Sequence, residues 1–71
     1  MQRTPVVSSN LKEVGYDASS GVLEVMFKNS EVWRYSGVPE REYRDLIGAP
    51  SVGRHFQSRI RPAYPGQKAS T

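Results

Sequence analysis

The sequence predicts an α+β fold: a three-stranded antiparallel β-meander followed by two short α-helices that pack on one face of the sheet. Apolar residues first alternate with a period of two and, after residue 36, recur at helical spacing. Clusters of turn-forming residues separate the alternating runs. Because a short amphipathic helix is unstable alone in water, both helices must cover the sheet.

Three alternating runs define the predicted strands, at residues 11–17, 22–28 and 31–36. Gly15 in the first run indicates a bulge or the close approach of another chain segment. Residues 17–21 predict a turn, in which Gly21 can adopt a positive φ. Asn29 and Ser30 predict the second turn, so the three strands form two consecutive hairpins.

The second and third strands each present aromatic or aliphatic residues on one face. We expect Phe27 to lie opposite Trp33, and Val25 opposite Tyr35. A slip of one residue would turn both large rings of the third strand to the wrong face. These two rings then fill the core beneath the helices, or they form a base-stacking platform of the kind found in single-strand binders.

The change of period predicts two helices. The first begins at Pro39 and ends at Gly48, and the second is capped by Ser51 and ends at Pro62. Their apolar stripes are Tyr43, Leu46 and Ile47 in the first helix, and Val52, Phe56 and Ile60 in the second.

Length and composition predict a single domain. The 71 residues, 37% of them hydrophobic and 24% charged, suit one small globular unit, which we place at residues 6–65. Residues 1–5 and 66–71 are polar and are predicted to be flexible tails. The chain has no cysteine and one histidine, His55, so we expect neither a metal nor another cofactor.

The sequence also predicts a cytoplasmic protein without catalytic activity. No run approaches the roughly 20 apolar residues that cross a bilayer, the N-terminus lacks the apolar region of a signal peptide, and cysteine is absent. Ser8, Ser9, Asp17 and His55 are the residue types of a hydrolase triad, but no nucleophile-elbow pattern surrounds the serines. Phosphate-cradling and dinucleotide-binding glycine motifs are absent as well.

Four ordered segments resemble the KTSC domain family: residues 7–17 (VSSNLKEVGYD), 23–27 (LEVMF), 33–39 (WRYSGVP) and 51–56 (SVGRHF). The family is named for its occurrence at the C-terminus of some lysyl-tRNA synthetases, and it also occurs as small free-standing bacterial proteins. This fusion suggests that the domain binds RNA. The family's central tyrosine-x-tyrosine is here Trp33-Arg34-Tyr35, which keeps an aromatic plane and loses one hydroxyl.

The C-terminal third of the chain is basic, because no acidic residue follows Asp45. On the second helix, Arg54, Gln57, Ser58 and Arg61 lie opposite the apolar stripe. This edge could bind phosphates, helped by the backbone amides of residues 51–53, or it could be only the solvated face of an amphipathic helix. The predicted nucleic-acid-binding residues are Arg34, Tyr35, Arg54, Arg59, Arg61 and Lys68.

Two functions therefore compete. The first is a binding module for RNA or another phosphate-bearing ligand, with the cations as its contact surface. The second is a protein-interaction or self-association module that uses the uncovered sheet face, where Val22, Met26 and Val32 would point outward. The sequence leaves the oligomeric state open and favours a monomer.

Overall fold

The computed structural model describes residues 2–69 and confirms an α+β fold with two helices. In chain order the elements are β1 (Arg3–Pro5), β2 (Leu11–Asp17), β3 (Val22–Phe27), β4 (Val32–Tyr35), α1 (Glu40–Ile47), α2 (Val52–His55), a π-helical segment (Phe56–Ile60) that continues α2, and β5 (Gly66–Lys68). The strands form one antiparallel sheet in the order β1-β2-β3-β4-β5. No helix among residues 2–69 is long and apolar enough to cross a membrane.

The predicted three-stranded meander is wrong in its number of strands, because the sheet formed within residues 2–69 has five. The two added strands, β1 and β5, lie in segments predicted to be tails; residues 1, 70 and 71 of those tails lie outside the described residues. Each added strand has three residues and no apolar alternation, so its presence depends on backbone pairing with a neighbour. Gly15 permits one such pairing: a Cβ there would lie 2.5 Å from the Gln2 carbonyl oxygen, which confirms the predicted close approach.

The predicted register of the second hairpin is also wrong. Val25 lies opposite Trp33 rather than Tyr35. The turn is centred one residue earlier than predicted, on residues 28–30, and the Phe27 N–H donates a hydrogen bond of 2.9 Å to the Glu31 carbonyl across it. Because the displacement is two residues, every side chain keeps its predicted face of the sheet.

The core lies between the inner face of the sheet and the helices. Phe56 is at its centre and makes edge-to-face contacts with Phe27 and Tyr35, at ring-centroid distances of 5.6 and 5.3 Å. Tyr35 is 4% exposed, so its ring points inward as predicted. The buried hydrophobic residues are Leu11, Val14, Leu23, Val25, Tyr35, Val38, Leu46, Val52, Phe56 and Ile60.

Helix α1 packs on the sheet through Leu46 and Tyr43. The Tyr43 ring stacks on Tyr16 at a centroid distance of 5.0 Å, and the Tyr16 hydroxyl donates a hydrogen bond of 2.6 Å to the Val38 carbonyl. Ile47, which was predicted to belong to the apolar stripe, is 42% exposed. The eight-residue helix is therefore held mainly by one aliphatic and one aromatic side chain.

Helix α2 begins at Ser51 as predicted, and its hydrogen-bond pattern then changes from α-helical to π-helical. The Ser51 hydroxyl accepts a hydrogen bond of 3.3 Å from the Arg54 backbone N–H and so caps the helix. At the other end, the Arg61 N–H donates to the Phe56 carbonyl, five residues earlier, at 3.0 Å. That spacing defines a π turn, a feature often found at functional sites.

Candidate functional site

A groove of about 410 Å³ opens between the π-helical segment and the tip of the β3–β4 hairpin. Three aromatic residues line it: Phe27 and Trp33, which are half-buried, and Tyr35, which is buried. The loop between β1 and β2 contributes Ser9 and Asn10 to the lining. The groove therefore combines aromatic surface from the sheet with polar groups from two loops and one helix.

The indole of Trp33 is fixed within this groove. Its Nε1–H donates a hydrogen bond of 3.2 Å to Glu31 Oε1. The other carboxylate oxygen of Glu31 lies 3.3 Å from Lys68 Nζ. Both contacts lower the pKa of Glu31 below its usual 4.5, and the hydrogen bond from the Trp33 indole has the larger effect. The acid in the groove thus holds an aromatic ring and a cation in place.

Two cations at the groove have no acidic partner within residues 2–69. Neither Lys28 nor Arg61 forms an ion pair with any residue in the described range 2–69. Arg61 Nη1 instead donates a hydrogen bond of 3.1 Å to Gln57 Oε1. Burial raises the pKa of the Tyr35 phenol, while the positive charge of Arg61 acts on it in the opposite direction. Arg61 therefore lies close enough to Tyr35 that one ligand in the groove could contact both the aromatic rings and this cation.

The groove brings together three of the six predicted nucleic-acid-binding residues. Tyr35 and Arg61 line it directly, and Lys68 reaches its edge through the ion pair with Glu31. Because Tyr35 is buried beneath the ring of Phe56 and beside Gly66, only part of its ring is available to a ligand.

Arg34 lies elsewhere, on the outer face of the sheet. Its Nε is 2.8 Å from Glu24 Oε2, and Arg3 Nη1 is 3.1 Å from Glu24 Oε1. Arg3 Nε also lies 3.1 Å from Glu13 Oε1. These four side chains form a ladder of ion pairs across β1 to β4, and the Arg34 charge is compensated within it.

Arg54 and Arg59 line a second concavity, also of about 410 Å³, which shares no residue with the groove. The predicted continuous edge of Arg54, Gln57, Ser58 and Arg61 is thus divided between two surfaces. These residues follow one face of the helical stretch, so the division comes from the loops that face each end. Residues 9 and 10 and the β3–β4 turn line the groove, whereas residues 49–51 line the second concavity.

The backbone amides of residues 51–53 do not form the open anion cradle that the sequence suggested. Gly53 is buried, and a Cβ there would lie 2.7 Å from the Ser8 hydroxyl oxygen. The same oxygen accepts hydrogen bonds of 3.2 Å from the backbone N–H groups of Asn10 and Leu11. The chain itself therefore occupies the space beside Gly53.

Comparison with known proteins identifies the family. The family model for the KTSC domain matches residues 7–64. The chain belongs to the KTSC domain family. The crystal structure of a KTSC domain protein from Yersinia pestis has a TM-score of 0.93, is 36% identical in sequence, and covers 97% of each chain.

Two further relatives show the contexts in which this domain occurs. An uncharacterized protein of Stutzerimonas stutzeri is 38% identical over 64 residues, 90% of each chain. A lysine–tRNA ligase of Nostoc punctiforme is 31% identical over 62 residues, which are 87% of this chain and 11% of that enzyme. A KTSC-like segment is therefore found both as most of a small protein and as a minor part of a large one.

Sequence reasoning missed several residues of the groove in this KTSC domain. Lys28 and Asn29 lie in the second turn, and Asn10 lies in the loop before β2. The Lys28 N–H donates a hydrogen bond of 2.9 Å to the Asn10 carbonyl, which joins the two loops. The turn position of Lys28, next to the aromatic strands, was a usable signal, whereas the contact with Asn10 depends on tertiary structure.

Proposed function

We propose that this KTSC domain is a non-catalytic, cytoplasmic binding module that takes a segment of single-stranded RNA into its aromatic groove. One observation carries the proposal: the half-buried ring of Trp33 lies in the same groove as Lys28 and Arg61, two cations without acidic partners in the described range. Proteins that bind single strands combine aromatic rings for bases with cations for the backbone.

The aromatic rings that line the groove supply the surface on which an RNA base would stack. Stacking of one base on an aromatic side chain contributes about 1–3 kcal/mol. The hydrogen bond between Trp33 and Glu31 already orders the indole, so a stacked base would cost little additional side-chain entropy. Phe27 extends the apolar surface beside it.

The polar lining supplies further contacts. Asn10 and Asn29 have amide groups with both donors and acceptors, as needed to read the edges of an unstacked base. Arg61 and Lys28 are placed to neutralise phosphates, whereas the charge of Lys68 at the groove edge is already paired with Glu31. Arg34 is left out of the proposed contact surface, because Glu24 already compensates its charge.

The comparisons lend support of a different kind. One relative is a lysine–tRNA ligase, whose name places tRNA among the molecules it acts on. An RNA-binding role for the similar segment would be useful in such an enzyme. The same role would suit a small protein that consists mostly of this domain, such as the relative from Stutzerimonas stutzeri.

Titration of a fluorescent single-stranded oligouridylate with the full chain tests the proposal. Two phosphate contacts predict about a sevenfold loss of affinity between 50 and 200 mM salt, from a slope of about −0.7 per contact. Arg61→Gln should lower the slope by about 0.7, and Trp33→Leu should weaken binding about tenfold. Arg44→Gln, an equal charge change on α1, is the matched control and should have little effect. No binding at 50 mM salt, or equal losses in both arginine variants, would refute the proposal.

The outer sheet face supports the second candidate, a protein-interaction or self-association module. Both helices lie on the inner face, and Val22, Met26 and Val32 on the outer side are each half-buried. Sedimentation at two concentrations, with Met26→Lys as the variant, tests self-association. Association that increases with concentration and is lost in Met26→Lys would favour it; a monomer at both concentrations would count against it.

A further inference from the structure

The second concavity has a chemistry of its own. It lies beside α2 and the loop before it, and its lining includes Arg54, His55 and Arg59 together with Ala49, Pro50 and Ser51. No acidic residue lines it. It shares no residue with the groove proposed above to bind RNA, so its ligand must be argued separately.

The two arginines here differ from Arg3, Arg34 and Arg44, which form ion pairs, and are like Arg61 at the groove, which forms none within residues 2–69. Arg3, Arg34 and Arg44 each have a carboxylate oxygen within 4.0 Å. Within residues 2–69, neither Arg54 nor Arg59 has an acidic partner, and both are exposed. Two uncompensated guanidinium groups beside one concavity produce a positive potential that attracts an anion.

The hydrogen-bonding groups of the concavity are mainly donors. The Ser51 hydroxyl oxygen accepts from the Arg54 N–H, which leaves its own O–H free to donate. His55 also lines the concavity, but its Nε2 atom is buried without a hydrogen-bond partner in the described part of the chain and is not counted among these donors. Guanidinium groups bind phosphate oxygens through paired, parallel hydrogen bonds. Such a set of donors suits an oxyanion with several acceptor oxygens.

The charge of the two arginines and the apolar part of the lining restrict the chemical class of the ligand further. A phosphate monoester carries a charge of about −1.5 to −2 at pH 7, which two arginines balance better than they balance the single charge of a diester. Ala49 and Pro50 offer apolar surface next to the cations. We propose that this concavity binds a small organic phosphate monoester, with its phosphate at Arg54 and Arg59 and its organic group against Ala49 and Pro50.

An NMR titration of the ¹⁵N-labelled full chain with phenyl phosphate tests the inference. We expect shifts of the Ser51 and Arg54 amides and of the His55 ring, while the amides of Lys28 and Asn29 at the groove remain unchanged. Arg54→Gln and Arg59→Gln should each weaken binding about tenfold, the loss expected for a charge-assisted hydrogen bond. Arg44→Gln provides the matched charge control and should bind like the wild type.

Two further ligands identify which part of the monoester is recognised. Inorganic phosphate should bind several-fold more weakly, because it lacks the apolar group, and methyl phenyl phosphate should do so because it carries a single charge. Equal binding of all three ligands, equal losses in all three arginine variants, or no shift at Ser51 and His55 would overturn the inference. None of these results bears on RNA binding at the groove, which the Arg61 and Trp33 variants test independently.

Discussion

Gly66 packs directly on the ring of Tyr35. The two residues are cross-strand partners in the β4–β5 pair. A Cβ at position 66 would overlap Tyr35 Cε2 and lie 2.8 Å from Cδ2. The last strand can therefore pair with the sheet only because this position has no side chain, and its backbone helps to bury a ring that also lines the groove.

Gly66→Ala should destabilise the domain by about 1–3 kcal/mol, the usual cost of adding a methyl group to packed structure. The methyl group would have to displace Tyr35, whose ring is held against Phe56. Urea denaturation measures the change. Gln67→Ala, on the same strand but exposed, is the control and should shift stability by less than about 0.5 kcal/mol. Equal stability of the two variants would show that β5 does not depend on this contact.

The central part of the fold could be predicted because its signals are local. The alternation of Leu23 and Val25 indicates a half-buried strand, Gly21 indicates a turn, and Ser51 indicates a helix start. Gly21 does adopt a positive φ of 70°, and Ser51 does cap α2. Each of these signals acts within a few residues, so the sequence pattern is enough to read it.

The edge strands and half of the site could not be predicted in this way. β1 can pair because Gly15 admits the backbone of Gln2, and β5 can pair because Gly66 leaves room for the ring of Tyr35. A glycine in the sequence does not indicate which group will approach it. Arg54, Arg59, Arg61 and Lys68 were identified from the sequence, but Lys28 was not, and neither was the grouping of these cations. Arg61 and Arg54 are seven positions apart on one helical stretch and belong to different concavities, and only the tertiary structure shows which loops face each of them.

Glu24→Gln should destabilise the domain by about 1–2 kcal/mol. Glu24 is 5% exposed, and its carboxylate accepts hydrogen bonds from Arg3 and Arg34. The amide keeps the shape but loses the charge that both guanidinium groups contact. The expected loss is below that for a fully buried pair because the Arg34 side chain is 58% exposed. Urea denaturation at pH 7 measures it.

Glu13→Gln is the matched control for Glu24→Gln. Glu13 contacts one arginine of the same ladder and is more exposed, so its loss should be below about 1 kcal/mol. A loss as large as that of Glu24→Gln would mean that burial of the central carboxylate does not set the strength of the ladder.

Lowering the pH should weaken the contacts that order the groove, because it protonates Glu31. The fold lowers the pKa of this carboxyl, so its stabilising contribution is present above the usual value of 4.5 and is lost as the pH falls through the lower folded value. Protonation weakens the contacts with Trp33 and Lys68. Because Trp33 is the one tryptophan of the chain, its fluorescence should report this titration directly.

Two variants separate Glu31 from other acids. Glu31→Gln should abolish the fluorescence change below pH 4.5. Asp17→Asn should leave it intact, although hydrogen bonds from Ser19 also lower the pKa of Asp17, because that carboxyl lies at the other hairpin. A fluorescence change that persists in Glu31→Gln would assign the transition to another group.

Trp33→Tyr distinguishes the aromatic plane from the indole N–H. The substitution restores the tyrosine-x-tyrosine of the KTSC pattern, keeps a flat ring in the groove, and removes the hydrogen bond to Glu31. We expect a small loss of stability in urea denaturation, because one hydrogen bond to a partly exposed carboxylate is lost. We also expect oligouridylate affinity within about threefold of wild type, because a phenol still stacks on a base. If Trp33→Tyr instead weakens RNA binding as much as Trp33→Leu, stacking is not the interaction that the groove provides, since the two variants differ in whether a planar ring is kept.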